Sequence, residues 1–130
     1  MNNEIKNLWK SNASVILELI EKKEITPLEV LESSLNRIEQ VNPAINAIVT
    51  LIEKEAKQII TKKENTNTNN ILKNMPVFIK DMNDVKNVRT TYGSELYANH
   101  LPKESDIIVK TVEKNGGVIL GKTNIPEFAA

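Results

Sequence analysis

The stretch GGVILGK, from Gly116 to Lys122, predicts a buried strand, because an apolar run bounded by glycines is typical of one. A second apolar run, from Met75 to Lys80, predicts another strand. Between the two, the residues from Ser105 to Asn115 predict a helix with Ser105 as its N-cap. Two buried strands joined by a helix favour a right-handed βαβ crossover. The sequence therefore predicts an α/β fold in which this βαβ part belongs to a mixed sheet.

Helical patterns dominate the residues that precede this unit. A first helix can be capped by Ser11 or Asn12, and a second begins with TPLE, where Thr26 is the N-cap of a capping box. The second helix should end before Asn42-Pro43, because proline disfavours the α conformation in the residue before it. These helices predict an N-terminal helical layer.

The residues between the helical layer and the βαβ unit are predicted to connect the two. INAIVTLI, from Ile45 to Ile52, favours an extended start followed by a helix from about Ile52. The stretch KKENTNTNN, from Lys62 to Asn70, has no apolar residue and predicts a solvated loop. We expect one domain, with a helical layer at residues 1–61, a polar loop at 62–74 and the start of the α/β core at 75–130. A last helix is predicted with Pro126 as its first residue.

Composition excludes several kinds of site. Basic and acidic residues number 17 each, so the formal net charge is zero and no broad basic field is available for nucleic acid or an anionic membrane. The absence of cysteine excludes thiolate metal sites and cysteine nucleophiles. His100 is the sole histidine and is expected in a surface loop, without partners for a metal. We expect no cofactor, and a cytoplasmic location is the default.

Lys80 closes the apolar run VFIK and has two interpretations. A lysine at a strand end usually extends its ammonium group to water, and the residues alone favour that structural role. Alternatively, burial could lower its pKa until the neutral amine accepts a proton. Lowering a lysine pKa from about 10.4 to about 7 corresponds to about 4.6 kcal/mol against the cation. On a strand, Asp81 would point to the opposite face, so it is not an obvious partner for Lys80.

Two longer stretches resemble a known family. PVFIKDMNDVKNVRTTYGS, from Pro76 to Ser94, and DIIVKTVEKNGGVILGKTNIPEFA, from Asp106 to Ala129, are similar to the opening segment of the amidase signature family. The resemblance implies a fold truncated from a larger amidase-signature fold. It also implies hydrolysis of small-molecule amides by a Ser-cisSer-Lys triad, in which Lys80 takes a proton through a bridging serine. Both family serines would lie beyond Ala130, so we expect the chain alone to be catalytically incomplete.

Other interpretations stay open at this point. The chain could be a non-catalytic interaction module, or one part of a split enzyme that complements a separate C-terminal chain. It could resemble the A subunit of a tRNA-dependent amidotransferase, although NIPEF, from Asn124 to Phe128, favours general amidases. A self-sufficient enzyme that pairs Lys80 with Ser94 or Ser105 is the weakest alternative, because both serines are typical of structural roles. Apolar faces left uncovered would make the chain marginally stable.

Overall fold

A computed structural model describes residues 5–63 and 70–130 of the chain. Within these ranges the chain forms four α-helices, three strands and three short 3₁₀ turns. In chain order they are α1 (Ala13–Glu21), α2 (Pro27–Ile45), β1 (Ile48–Leu51), α3 (Glu53–Lys63), β2 (Pro76–Lys80), α4 (Ile107–Lys114) and β3 (Val118–Thr123). The 3₁₀ turns are Ile5–Lys10, Glu95–Tyr97 and Glu127–Ala129. None of the helices within the described ranges is both long and apolar enough to cross a membrane.

The three strands form one mixed sheet in the order β1-β3-β2. β2 and β3 are parallel and α4 lies between them in the chain, so the predicted strand-helix-strand unit is confirmed. β1 pairs antiparallel with β3, so the N-terminal half contributes a strand to the same sheet. A Cβ on Gly121 would lie 2.2 Å from the carbonyl oxygen of Thr50, so the absence of a side chain permits this close pairing.

Helices cover both faces of β3. Its side chains alternate between two apolar clusters, as expected for a strand buried on both sides. One cluster involves α2 and α3 and contains Leu31, Ala56, Ile60, Val118 and Leu120. The other involves α4 and contains Ile79, Val85, Val109 and Ile119. The core therefore holds the carboxyl ends of β2 and β3 side by side.

Helix α2 begins as the sequence predicts. The hydroxyl of Thr26 accepts a hydrogen bond from the backbone N–H of Glu29 at 3.2 Å, and the Glu29 carboxylate accepts one from the N–H of Thr26 at 2.7 Å. This reciprocal pair satisfies donors that the first turn would otherwise leave free. The capping box is confirmed.

The predicted end of α2 is wrong, because the helix continues through Pro43 to Ile45. Proline removes only its own N–H from the helical ladder, and the packed helix overrides the preference against an α conformation before it. The helix ends instead at Asn46, whose backbone is left-handed, with φ of 48°. The Asn42 side chain then bonds both the N–H and the carbonyl of Ile48, at 2.8 and 3.0 Å, which ties α2 to β1.

Two further boundaries differ from the prediction. Asp106, rather than Ser105, occupies the N-cap position of α4, because the Ser105 hydroxyl accepts a hydrogen bond from the backbone N–H of Lys86 at 2.8 Å. Pro126 precedes a single 3₁₀ turn instead of beginning an α-helix, and Phe128 in that turn has a non-helical φ of 50°. Of the predicted polar loop, Lys62 and Lys63 lie in α3 and residues 64–69 lie outside the described residues.

Candidate functional site

The carboxyl ends of β2 and β3 each carry a lysine. In the parallel register Ile79 lies beside Lys122, and Lys80 lies beside Thr123. Paired residues of neighbouring strands share a face of the sheet, and successive residues alternate between faces. Lys80 and Lys122 therefore lie at the same edge of the sheet but on opposite faces.

The Lys80 side chain is exposed at the end of β2. Among the described residues it has no hydrogen-bond or ion-pair partner. This arrangement agrees with the interpretation that the ammonium group extends to solvent. No part of the described chain encloses the Lys80 amine, so the proposed desolvation would require groups beyond these residues.

Lys122 is instead the buried lysine, with an exposed fraction of 0%. Its ammonium group donates to the Asn83 carbonyl at 2.8 Å and to the Thr90 hydroxyl at 2.7 Å. It also lies 3.3 Å from an oxygen of Asp81, which is 1% exposed. Desolvation by burial lowers the pKa of Lys122, and the neighbouring Asp81 carboxylate opposes that shift.

Lys122 is absent from the site residues that the sequence predicts. Lys122 has the same sequence signal as Lys80, since each lysine follows an apolar run. The difference lies in the sheet, where β3 is central and β2 is outer among the three strands. Strand order, which the sequence alone leaves open, decides which lysine is buried.

Asp81 links β2 to the turn that contains Thr91. Its carboxylate accepts hydrogen bonds from the backbone N–H of Thr91 at 3.2 Å and from the Thr91 hydroxyl. Its backbone N–H donates to the Thr123 carbonyl at 3.0 Å, and its own carbonyl accepts from Tyr92 at 3.0 Å. Asp81 thus has side-chain and backbone partners in two other segments, the turn at Thr91 and the strand β3, and its carboxylate pairs with Lys122 instead of Lys80.

The two serines weighed as partners for Lys80 have other contacts. Ser94 is buried, and its hydroxyl donates to the Glu127 carboxylate at 2.6 Å. Ser105 accepts from the Lys86 backbone, as described above. Neither serine contacts Lys80, so the described residues do not assemble a serine-lysine pair.

His100 lies in an aromatic cluster near this region. The Tyr92 hydroxyl donates to the Asp84 carboxylate at 2.5 Å and lies 3.3 Å from Nε2 of His100. Desolvation, followed by the hydrogen bond to Asp84, raises the pKa of Tyr92 to about 12. The ring of His100 also packs edge-to-face against Tyr97, with centroids 5.7 Å apart. These contacts hold the connection after β2. The raised pKa keeps Tyr92 protonated well above neutral pH, so it is a poor nucleophile.

A metal centre and a surface cleft are weaker candidates for the site. Within the described ranges, no group of three His, Asp or Glu side chains could hold a metal ion. A cleft of about 560 Å³ lies between α2, β1 and α3, and Leu35, Leu51 and Lys57 are among its lining residues. Lys80 does not line this cleft. The lysine-bearing sheet edge is therefore the stronger candidate.

A family model described as Amidase matches residues 29–130. The chain belongs to the amidase family. The A subunit of the glutamyl-tRNA(Gln) amidotransferase of Thermoanaerobacter pseudethanolicus is 37% identical over 129 residues, which cover 94% of this chain and 26% of the relative. An A subunit of the same kind of enzyme from Clostridium acetobutylicum is 36% identical over 126 residues, with the same coverage. An acylamidase of Rhodococcus erythropolis is 30% identical over 125 residues, covering 93% of this chain and 26% of that protein.

Solved structures share the amidase fold over the same region. A bacterial aryl acylamidase of the amidase signature family superposes with a TM-score of 0.79 at 25% identity, covering 91% of this chain and 26% of that structure. Fatty acid amide hydrolase superposes with a TM-score of 0.85 at 20% identity, covering 97% and 23%, which is a likeness of fold alone. The amidase-family chain thus spans about a quarter of the length of the relatives that it matches.

Proposed function

We propose that this chain forms the lysine-bearing part of an amide-hydrolysing enzyme, with Lys80 as the catalytic base. Membership of the amidase family supports the reaction class. The observation that carries the assignment is the position of the Lys80 side chain at the carboxyl end of β2, where it is exposed and has no hydrogen-bond or ion-pair partner among the described residues. Strand β2 fixes the backbone of Lys80, while the Lys80 amine stays available to residues outside the described part of the chain.

In this proposal two serines come from residues outside the 130 that form this sequence. When those residues cover Lys80 and exclude water, its amine is neutral. The amine then takes a proton through a bridging serine while the second serine attacks the amide carbonyl. The carbon-nitrogen bond breaks as the proton passes to the leaving amine, and an acyl-enzyme remains. Water then hydrolyses the ester, releasing the carboxylic acid and restoring the serine. The cytoplasm suits a cysteine-free chain and is part of the proposal.

The second candidate is the A subunit of an amidotransferase. The two A subunits described above, at 36% and 37% identity, favour it over the acylamidase at 30%. The motif NIPEF, from Asn124 to Phe128, favours general amidases instead. Both candidates place the same chemistry at Lys80, and they differ in the amide that is cleaved. Ammonia release from free glutamine, compared with hydrolysis of an aryl acylamide, distinguishes them.

A chimeric enzyme tests the role of Lys80. This chain would replace the aligned segment of the Rhodococcus erythropolis acylamidase, and kcat/KM would be measured on an acyl amide. We expect Lys80→Met to lower kcat/KM by about 100-fold or more, since positioned general bases contribute about 10²–10⁴. Lys86→Met, at an exposed lysine in the loop after β2, serves as the matched control and should stay within about 2-fold of the unaltered chimera.

Loss of activity in both lysine variants would point to a general effect on folding or charge. Full activity in the Lys80→Met chimera would remove Lys80 from the mechanism. Circular dichroism of each variant checks that the chimera is folded before the rates are compared.

A further inference from the structure

The buried Lys122 contacts the segment that immediately follows Lys80. Its three contacts are the Asp81 carboxylate, the Asn83 carbonyl and the Thr90 hydroxyl. We propose that the Lys122–Asp81 ion pair positions Lys80 by fixing the turn into which Lys80 leads. This inference rests on the proposed function, because it concerns the geometry of the same site.

Lys80 is held from both sides along the chain. Before it, Ile79 lies beside Lys122 in the parallel ladder. After it, the backbone N–H of Asp81 bonds to Thr123 at 3.0 Å, and the N–H of Asn83 bonds to the Lys80 carbonyl at 3.0 Å. The chain therefore turns directly at Lys80, and the direction of its Cα–Cβ bond depends on that turn.

Lys122 holds this turn from inside the protein. Its ammonium group joins the side chain of Asp81 to the main chain of Asn83, so it closes the turn across two residues. The Thr90 hydroxyl supplies the third acceptor and brings the following loop against the same point. A change at Lys122 would thus reach Lys80 through Asp81 and Asn83, the first and third residues after Lys80.

Lys122 cannot serve as the base itself. An ammonium group has three N–H donors, and the three acceptors around Lys122 use all of them. Because Lys122 is fully enclosed, with an exposed fraction of 0%, a substrate cannot reach its amine. Lys122 is therefore a positioning residue, whereas the exposed Lys80 is the group that can meet a reacting atom.

A contribution to stability is a weak explanation for the buried Lys122–Asp81 ion pair. A buried ion pair often contributes little compared with apolar residues of similar volume, because both charges lose their hydration. The contacts of Lys122 are instead directional, since two of them reach defined atoms of the turn after Lys80 and the third reaches Thr90 in the following loop. This geometry is consistent with a role for Lys122 in setting the orientation of Lys80.

The test uses the acylamidase chimera with two sets of variants. Lys122→Met removes the cation, and the double variant Lys122→Met/Asp81→Asn removes both charges so that no buried carboxylate is left unpaired. The control, Lys110→Met/Glu104→Gln, removes an exposed ion pair with a 3.2 Å separation. Steady-state kinetics would give kcat and KM separately. Hydrogen exchange measured by mass spectrometry would follow the peptide that contains residues 79–84.

We expect the double variant to stay folded and to lose about 10-fold or more in kcat with KM within about 2-fold, because positioning errors act on the chemical step. Exchange in the 79–84 peptide should rise in the double variant and stay unchanged in the control. Unchanged kcat in a folded double variant would overturn the proposal, whether or not exchange rises. So would reduced kcat with unchanged exchange in the 79–84 peptide.

Comparing the activity of Lys80→Met with that of the double variant separates this inference from the proposed function. If Lys80→Met leaves the chimera fully active, the catalytic role of Lys80 fails, and with it the positioning role for Lys122. If Lys80→Met abolishes activity while the folded double variant keeps its kcat, only the positioning role fails.

Discussion

At the scale of single residues, two lysines with the same local sequence pattern differ in burial. Lys80 and Lys122 each follow an apolar run of sequence. Lys122 is enclosed and bonded to three acceptors, while Lys80 is exposed. The face reversal between Lys80 and Asp81, which alternation along a strand predicts, directs the carboxylate to Lys122 and leaves Lys80 unpaired among the described residues.

Tyr92 offers a test of the electrostatics at the same scale. Its pKa is raised from 10.0 to about 12 by burial and by Asp84, so the folded protein keeps a proton that the unfolded chain loses above pH 10. The stabilisation is complete below pH 10 and is lost as the pH rises towards 12. Lysines titrate in the same range, so the difference between wild type and Tyr92→Phe isolates this contribution.

We therefore expect the midpoint of thermal unfolding to fall more between pH 10 and pH 12 in wild type than in Tyr92→Phe. Parallel curves for the two proteins would show that Tyr92 does not titrate differently in the folded and unfolded states. Tyr97→Phe is the matched control, because Tyr97 belongs to the same aromatic cluster but is more exposed.

At the scale of elements, local signals predicted several helices and strands but not every boundary or every strand pairing. The capping box at Thr26 and the strand that ends at Lys80 both follow from neighbouring residues. The passage of α2 through Pro43 does not, because tertiary packing outweighs the local preference. The pairing of β1 with β3 joins residues about 70 positions apart, which no local pattern specifies.

Gly121 tests that pairing. A methyl group at this position would meet the Thr50 carbonyl at 2.2 Å, which is backbone and cannot rotate away. We expect Gly121→Ala to lower the free energy of unfolding by about 1–3 kcal/mol, as overpacking of a core does. Equilibrium denaturation in urea measures the change. Thr123→Ala, on the same strand, should have a smaller effect, and equal effects would argue against the close approach as the cause.

At the scale of the whole molecule, the fold and the site differ in how far the sequence predicts them. Ordered blocks of residues around Lys80 and Lys122 resemble the amidase signature family, and the family model and the shared fold confirm that resemblance. Under the proposed function, the environment of Lys80 depends on groups outside the described residues, in which its side chain is exposed. Apolar side chains such as Leu96, at 84% exposed, and Ile107, at 80%, also remain uncovered.

Reconstitution from two polypeptides tests the central claim most directly. The 130-residue chain would be produced together with a separate polypeptide that comprises the rest of the Rhodococcus erythropolis acylamidase, and hydrolysis of an acyl amide would be measured. We expect neither polypeptide to be active alone, the pair to be active, and the pair with Lys80→Met to lose that activity. Hydrolysis by the 130-residue chain alone, or by the pair regardless of the Lys80 substitution, would contradict a role for this chain as the lysine-bearing part of an amidase.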